Sequence, residues 1–181
     1  MEREVIITGI GGQGIQLMAK ILAQAAMQAG KQVMLFGVYG GMMRGGPSDS
    51  TVVIGDDAIQ APPIIPLTWS VLAMHATGLA EQSKKLRPGG VLCLNSTLVP
   101  APARDDVTLL SVPATKMAEE AKNIMGAGMI ALGAFVAATA LVPHEALIAA
   151  MRESLPPHRQ HLAEKNVALL NLGADFVTRG M

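Results

Sequence analysis

The sequence predicts a three-layer α/β/α domain of Rossmann-like type, with a mostly parallel or mixed sheet and a helical C-terminal part. Three observations carry that expectation. Short apolar runs at residues 5–7, 33–36, 52–54 and 91–94, each within two residues of a glycine, read as buried strands. Two glycine clusters follow the first two of these runs directly. From Ala114 onward the pattern is helical, with breaks near Gly126, Pro143 and Pro156-Pro157.

Taken in order, residues 5–8 read as a first buried strand. Residues 13–29 read as a helix with Leu17, Met18, Ile21, Leu22 and Ala25 along one side and Gly30 as its stop signal. Residues 32–36 read as a second strand, completing a βαβ unit. Residues 49–55 have a β-branched core, Thr51-Val52-Val53-Ile54, and form a third strand. No helix separates it from the second, so the usual crossover is unavailable and a mixed sheet is expected. Pro62, Pro63 and Pro66 make residues 56–68 a loop. Then come a strand over 69–73, a helix over 75–86, a turn at Pro88-Gly89-Gly90, and strands over 91–94 and 107–112.

At 181 residues the chain is long enough for one substantial core, and residues 1–181 read as one domain. Half of it is apolar and 15% is charged, which excludes disorder. Zero net charge gives no electrostatic case for nucleic acid, and one Trp, one Tyr and three Phe give no stacking platform. Residues 123–142 hold no charge, yet three glycines and six alanines suit a helix buried against the sheet or a partner better than a membrane span. Twelve methionines and few charges imply apolar surface covered by other subunits. Cys93 is the one cysteine, too few for an iron–sulfur cluster. The start, Met1-Glu2-Arg3-Glu4, lacks signal-peptide character, so a cytoplasmic protein is expected.

The first glycine cluster is Gly9-Ile10-Gly11-Gly12-Gln13-Gly14; the second spans Gly37 to Gly46 and includes Tyr39, Gly40, Arg44 and Gly45, with Ser48 beyond. At the carboxyl end of a strand, glycine lets unpaired helix-start N–H groups approach an anion. Gln13 adds a side-chain donor, and Arg44 a fork-shaped cation suited to carboxylate or phosphate. A nicotinamide site would need an Asp or Glu about 20 residues on, to hold the ribose. No acidic residue stands between Glu4 and Asp49. His75, His144, His158 and His161 have no metal-ligand spacing, and no serine sits in a nucleophile elbow. No catalytic dyad or triad is legible.

These motifs resemble the gamma subunit of the 2-oxoacid:ferredoxin oxidoreductases. The likeness rests on Gly9-Ile10-Gly11-Gly12-Gln13-Gly14, on Tyr39-Gly40 with Arg44-Gly45-Gly46 before a Val-Val-Ile strand, and on Arg87-Pro88-Gly89-Gly90-Val91 with Asn95-Ser96. It continues through Val112-Pro113-Ala114 and Ala131-Leu132-Gly133-Ala134. Many gamma chains have Pro-Glu where this one has Gly41-Met42, and often a cysteine at Ser50, so the particular 2-oxoacid stays open.

The resemblance implies a noncatalytic subunit of an enzyme that converts a 2-oxoacid to its acyl-CoA with reduction of ferredoxin. 2-Oxoglutarate is the first expectation, ahead of pyruvate, ketoisovalerate and aryl substrates. It further implies thiamine diphosphate, Mg2+ and [4Fe-4S] clusters in alpha and beta partners, and in a delta partner where the complex has one, with none held by this chain alone. Gly9, Gly11, Gly12, Gln13, Gly14, Tyr39, Gly40, Arg44, Gly45, Gly46 and Ser48 would then face coenzyme A or neighbouring subunits. The rivals are a stand-alone NADP-binding oxidoreductase and a purely structural interaction module.

Overall fold

The computed structural model describes residues 1–39, 46–62 and 65–180; the side chains of Val38 and Tyr39 lie outside that description. Six strands form one sheet: β1 (Glu2–Ile10), β2 (Gln32–Tyr39), β3 (Pro47–Gly55), β4 (Thr68–Ala73), β5 (Leu86–Asn95) and β6 (Thr108–Val112). Their spatial order is β2-β3-β1-β4-β5-β6. Strands β1, β4, β5 and β6 run parallel, whereas β3 is antiparallel to both β1 and β2.

The mixed sheet expected from the missing crossover helix is therefore present. The βαβ unit is not assembled in the expected way, because β3 occupies the place beside β1 that β2 would take. Residues 40–46 are too few to carry a parallel return, and an antiparallel neighbour needs only a short connection. One consequence matters for the site. Gly9 pairs with Ser48, and Ser48 pairs with Tyr39, so the stems of both glycine clusters lie side by side.

The side chains of β1 alternate between two cores. Val5 and Ile7 pack toward α1 (Ile15–Gln28), α3 (Ala114–Glu120), α4 (Ala127–Thr139), α5 (His144–Ser154) and α6 (Ala163–Thr178). Ile6 faces a thinner layer containing Leu79 of α2 (Ala76–Gln82) together with Ile65 and Val99 from irregular segments. The three layers are thus unequal, as a helical C-terminal third stacked on one face requires.

α1 starts at Ile15 and not at Gln13, because Gly14 adopts a left-handed φ of 74°. The helix expected over 75–86 stops at Gln82, giving way to a 3-10 turn at Ser83–Lys85, and Leu86 already belongs to β5. Pro88-Gly89-Gly90 is not a separate turn but a bulged part of β5, opposite a register shift between Thr68 and Ser70. A Cβ on Gly90 would lie 2.5 Å from the Trp69 carbonyl oxygen, so glycine is what admits this close approach. Cys93 is fully buried in β5, and burial pushes its thiol up to about 12, leaving it protonated and unreactive at neutral pH.

The chargeless stretch becomes α4, buried on nearly every side. Among the described residues no helix is long and apolar enough to cross a membrane.

Toward the other end of β1 from Gly9, Glu4 accepts a hydrogen bond from the Trp69 backbone N–H (3.0 Å) and pairs with Arg87 (3.1 Å). Arg3 lies over the Trp69 ring, 4.6 Å from its centroid. Glu4→Ala is expected to cost about 1 kcal/mol, because it leaves a part-buried N–H without its acceptor and removes the arginine's partner. A urea midpoint equal to that of the parent chain would disprove this assignment.

Candidate functional site

The first glycine cluster forms the floor of a cleft of about 560 Å³ at the carboxyl ends of the parallel strands. Gly12 (φ 99°) and Gly14 (φ 74°) hold left-handed backbone that an L side chain resists, and a Cβ at either would point into open space. Open space beside strained backbone means that these glycines are set by conformation and not by packing. Gly9 is the contrary case. Its Cβ would lie 2.6 Å from Gln13 Oε1 and 2.8 Å from Ile15 Cδ1, so this residue serves close packing beneath the loop.

Gln13, expected as a donor to a ligand, spends its amide on the loop itself. Its Oε1 accepts from the Ile10 N–H (3.0 Å) and its Nε2 donates to the Met74 carbonyl (3.3 Å), which ties the glycine loop to the end of β4. Gln13 still lines the cleft, as do Gly11, Gly12, Gly14, Gly46 and Ser48. The Gly11 N–H donates to the Gly46 carbonyl (2.9 Å), joining the two glycine clusters directly. Tyr39 ends β2 as the partner of Ser48. Gly40, Arg44 and Gly45 lie outside the described residues.

Gln16, in the first turn of α1, fixes the second cluster from below. Its Nε2 donates to the Asp49 carbonyl (3.0 Å) and its Oε1 accepts from Ser50 Oγ (2.8 Å), while Gly37 leaves the room its side chain needs. On the other face of the sheet, Thr8 Oγ1 donates to Asp49 Oδ1 (2.5 Å) and Gln82 Nε2 donates to Asp49 Oδ2 (2.9 Å). The strand ends under both loops are thereby held by polar contacts from α1 and α2.

The far wall of the cleft comes from parts of the chain that carry no motif. Asn123 precedes the 3-10 turn Ile124–Gly126; Arg159 lies on the 3-10 segment Pro157–Leu162; Asn166 lies in the first turn of α6; and Met125, Met129 and Leu155 supply apolar surface. Sequence reading missed all of these. Arg159 stands between His158 and His161, which read only as a solvated helix start, and nothing local connects it to Gly12. What brings them together is the packing of α4 on the loop: a Cβ at Gly128 would meet Gln13 O at 3.1 Å.

Electrostatically the cleft favours an anion. The first turn of α1 contains no acidic residue and its cap makes no side-chain hydrogen bond, so the leading N–H groups remain available to a ligand. Among the described lining residues none is acidic, and Arg159 is the one charged side chain. Among the described residues no three His, Cys, Asp or Glu side chains converge to hold a metal ion. The arrangement can bind and orient a negatively charged group; among the described residues its lining offers no His or carboxylate to move a proton.

An α/β chain with an anion-suited strand-end cleft is the class that fold and site define. The family model for pyruvate ferredoxin/flavodoxin oxidoreductase matches residues 4–176, and the chain belongs to that family. It is 33% identical to the 2-oxoglutarate synthase subunit KorC of Methanocaldococcus jannaschii, over 96% of this chain and 92% of that one. It is 31% identical to the KorC subunit of Methanothermobacter marburgensis, over 99% of both. Among solved structures, the gamma subunit of a keto/oxoacid ferredoxin oxidoreductase from Geobacter sulfurreducens superposes with a TM-score of 0.83 at 29% identity. That match covers 99% of this chain and 98% of the other. The role of the chain is accordingly that of a gamma subunit in a 2-oxoacid:ferredoxin oxidoreductase, with other subunits of the complex as its partners.

Proposed function

We propose that this gamma subunit works in the cytoplasm within a 2-oxoglutarate:ferredoxin oxidoreductase, is itself noncatalytic, and lends its glycine cleft to the coenzyme A site. The 2-oxoglutarate assignment is supported by the KorC relatives, which match this chain over nearly their full length. The chemistry falls to alpha and beta partners, and to a delta partner where the complex has one. Thiamine diphosphate with Mg2+ would supply the decarboxylation there, and [4Fe-4S] clusters the path for electrons to ferredoxin.

The observation that carries the coenzyme A reading is the cleft itself. Gly12 and Gly14 keep backbone open to the cavity, the helix start is uncapped by any side chain, and Arg159 faces no acidic neighbour among the lining residues. Apolar walls from Met125, Met129 and Leu155 give an adenine or a pantetheine arm a surface to lie on. The placement of β3 beside β1 speaks against the NADP alternative, because the strand whose tip would meet the ribose is displaced to the sheet edge. Exposed Leu98, Ile124 and Met125 border the loop and offer a neighbouring subunit an apolar ledge.

Gly12→Val in the assembled complex tests this. A β-branched residue is strained at φ 99° and places its side chain in the cavity. The KM for coenzyme A is expected to rise about tenfold or more, with the complex still co-eluting. An unchanged KM in an intact complex would remove the cleft from the coenzyme A site.

A further inference from the structure

Six of the seven arginines of the chain lie in the described residues, and five of them are engaged. Arg3 sits over Trp69, and Arg87, Arg104, Arg152 and Arg179 pair with Glu4, Asp106, Glu164 and Asp175. Arg159 is the exception. Among the described residues no carboxylate stands within ion-pair distance of it, and its side chain makes no hydrogen bond.

Among the described residues this unengaged arginine is also the one charged side chain lining the cleft, a lining it shares with Asn123 and Asn166 and no acid. Its backbone is not slack. The Arg159 N–H donates to the Pro156 carbonyl (2.8 Å), Pro157 opens the segment, and Gln160 Nε2 donates to the Leu155 (2.7 Å) and Arg152 (3.2 Å) carbonyls. A guanidinium on a tethered turn loses less freedom on meeting an anion than one on a loose loop. Arg159 is solvent-exposed while lining the same cleft as the glycine loop.

We propose that Arg159 is a specificity-determining residue that reads a terminal phosphate monoester on the ligand of this cleft. The proposal rests on the coenzyme A reading above, under which that group is the 3′-phosphate. A planar fork of N–H donors matches the oxygens of a dianionic monoester, and the solvent exposure of Arg159 lets a double negative charge remain partly hydrated. The monoanionic diphosphate groups are left to the glycine amides, which suit close backbone approach.

The test uses steady-state ferredoxin reduction by the assembled complex with coenzyme A or dephospho-coenzyme A, which lacks only the 3′-phosphate. The parent complex is expected to show a KM about tenfold lower for coenzyme A. Arg159→Gln is expected to shrink the ratio of the two KM values from about tenfold to about one, and Arg159→Lys to restore part of the difference. Equal changes for both carriers, no change for either, or loss of assembly would overturn the proposal. Gly12→Val separates the two levels of argument. If it raises KM for both carriers while Arg159→Gln is silent, the cleft stands and the role of Arg159 falls; if both variants are silent, the cleft reading itself falls.

Discussion

Gly133→Ala is expected to lower the thermal midpoint of the purified chain by roughly 4–8 °C, although alanine is the better helix former. Gly133 lies in α4, and a Cβ there would stand 2.0 Å from the Leu170 carbonyl oxygen of α6. Gly173 in α6 returns the relation, its Cβ falling 2.0 Å from the Ile130 carbonyl oxygen of α4. Backbone meets backbone at both points, so no side chain can swing aside and the helices must separate. Overpacking of this kind costs about 3 kcal/mol, against about 1 kcal/mol gained in helix propensity. The loss therefore wins, at roughly 2 kcal/mol net. Because Gly133→Ala and Gly173→Ala widen the same interface, the double variant should lose less than the sum of the two. A midpoint unchanged or raised in Gly133→Ala would show that α4 and α6 are not in this contact.

Asp49→Ala should be the most damaging polar substitution, costing about 2–4 kcal/mol in urea unfolding. Its two carboxylate oxygens serve Thr8 Oγ1 and Gln82 Nε2, on residues that are 0% and 5% exposed. Removing the carboxylate orphans both donors inside the protein, where water cannot replace it. Asp49→Asn keeps one acceptor and should cost about half as much. Gly78→Ala attacks the same network from α2, since its Cβ would overlap Thr8 Oγ1 at 1.8 Å. Parent-like stability in Asp49→Ala would mean that the strand ends are held by the sheet alone.

The two glycine clusters were legible because their signals are local. Gly12 and Gly14 stand directly after a strand and before a helix, and both take the positive φ that such a turn demands. The mixed sheet was legible from a gap too short for a crossover. Gln13 reads as a side-chain donor to a ligand, yet its amide closes on Ile10 and Met74, because the fold brings the end of β4 within its reach. Pro88 was read as ending one element before another; the register shift opposite it let β5 run through.

The sequence by itself determined the strand and helix periodicities, the absence of acid near the first loop, the close helix packing of the glycine- and alanine-rich segment, and the family. Those properties live within a few residues of one another. Only the tertiary structure decided that Ser48 lies between Gly9 and Tyr39, and that Asn123, Arg159 and Asn166 close the cleft over Gly12. Such neighbours are up to 154 residues apart along the chain and are chosen by how helices pack, through glycines that let α4 reach α6 and the loop at van der Waals distance.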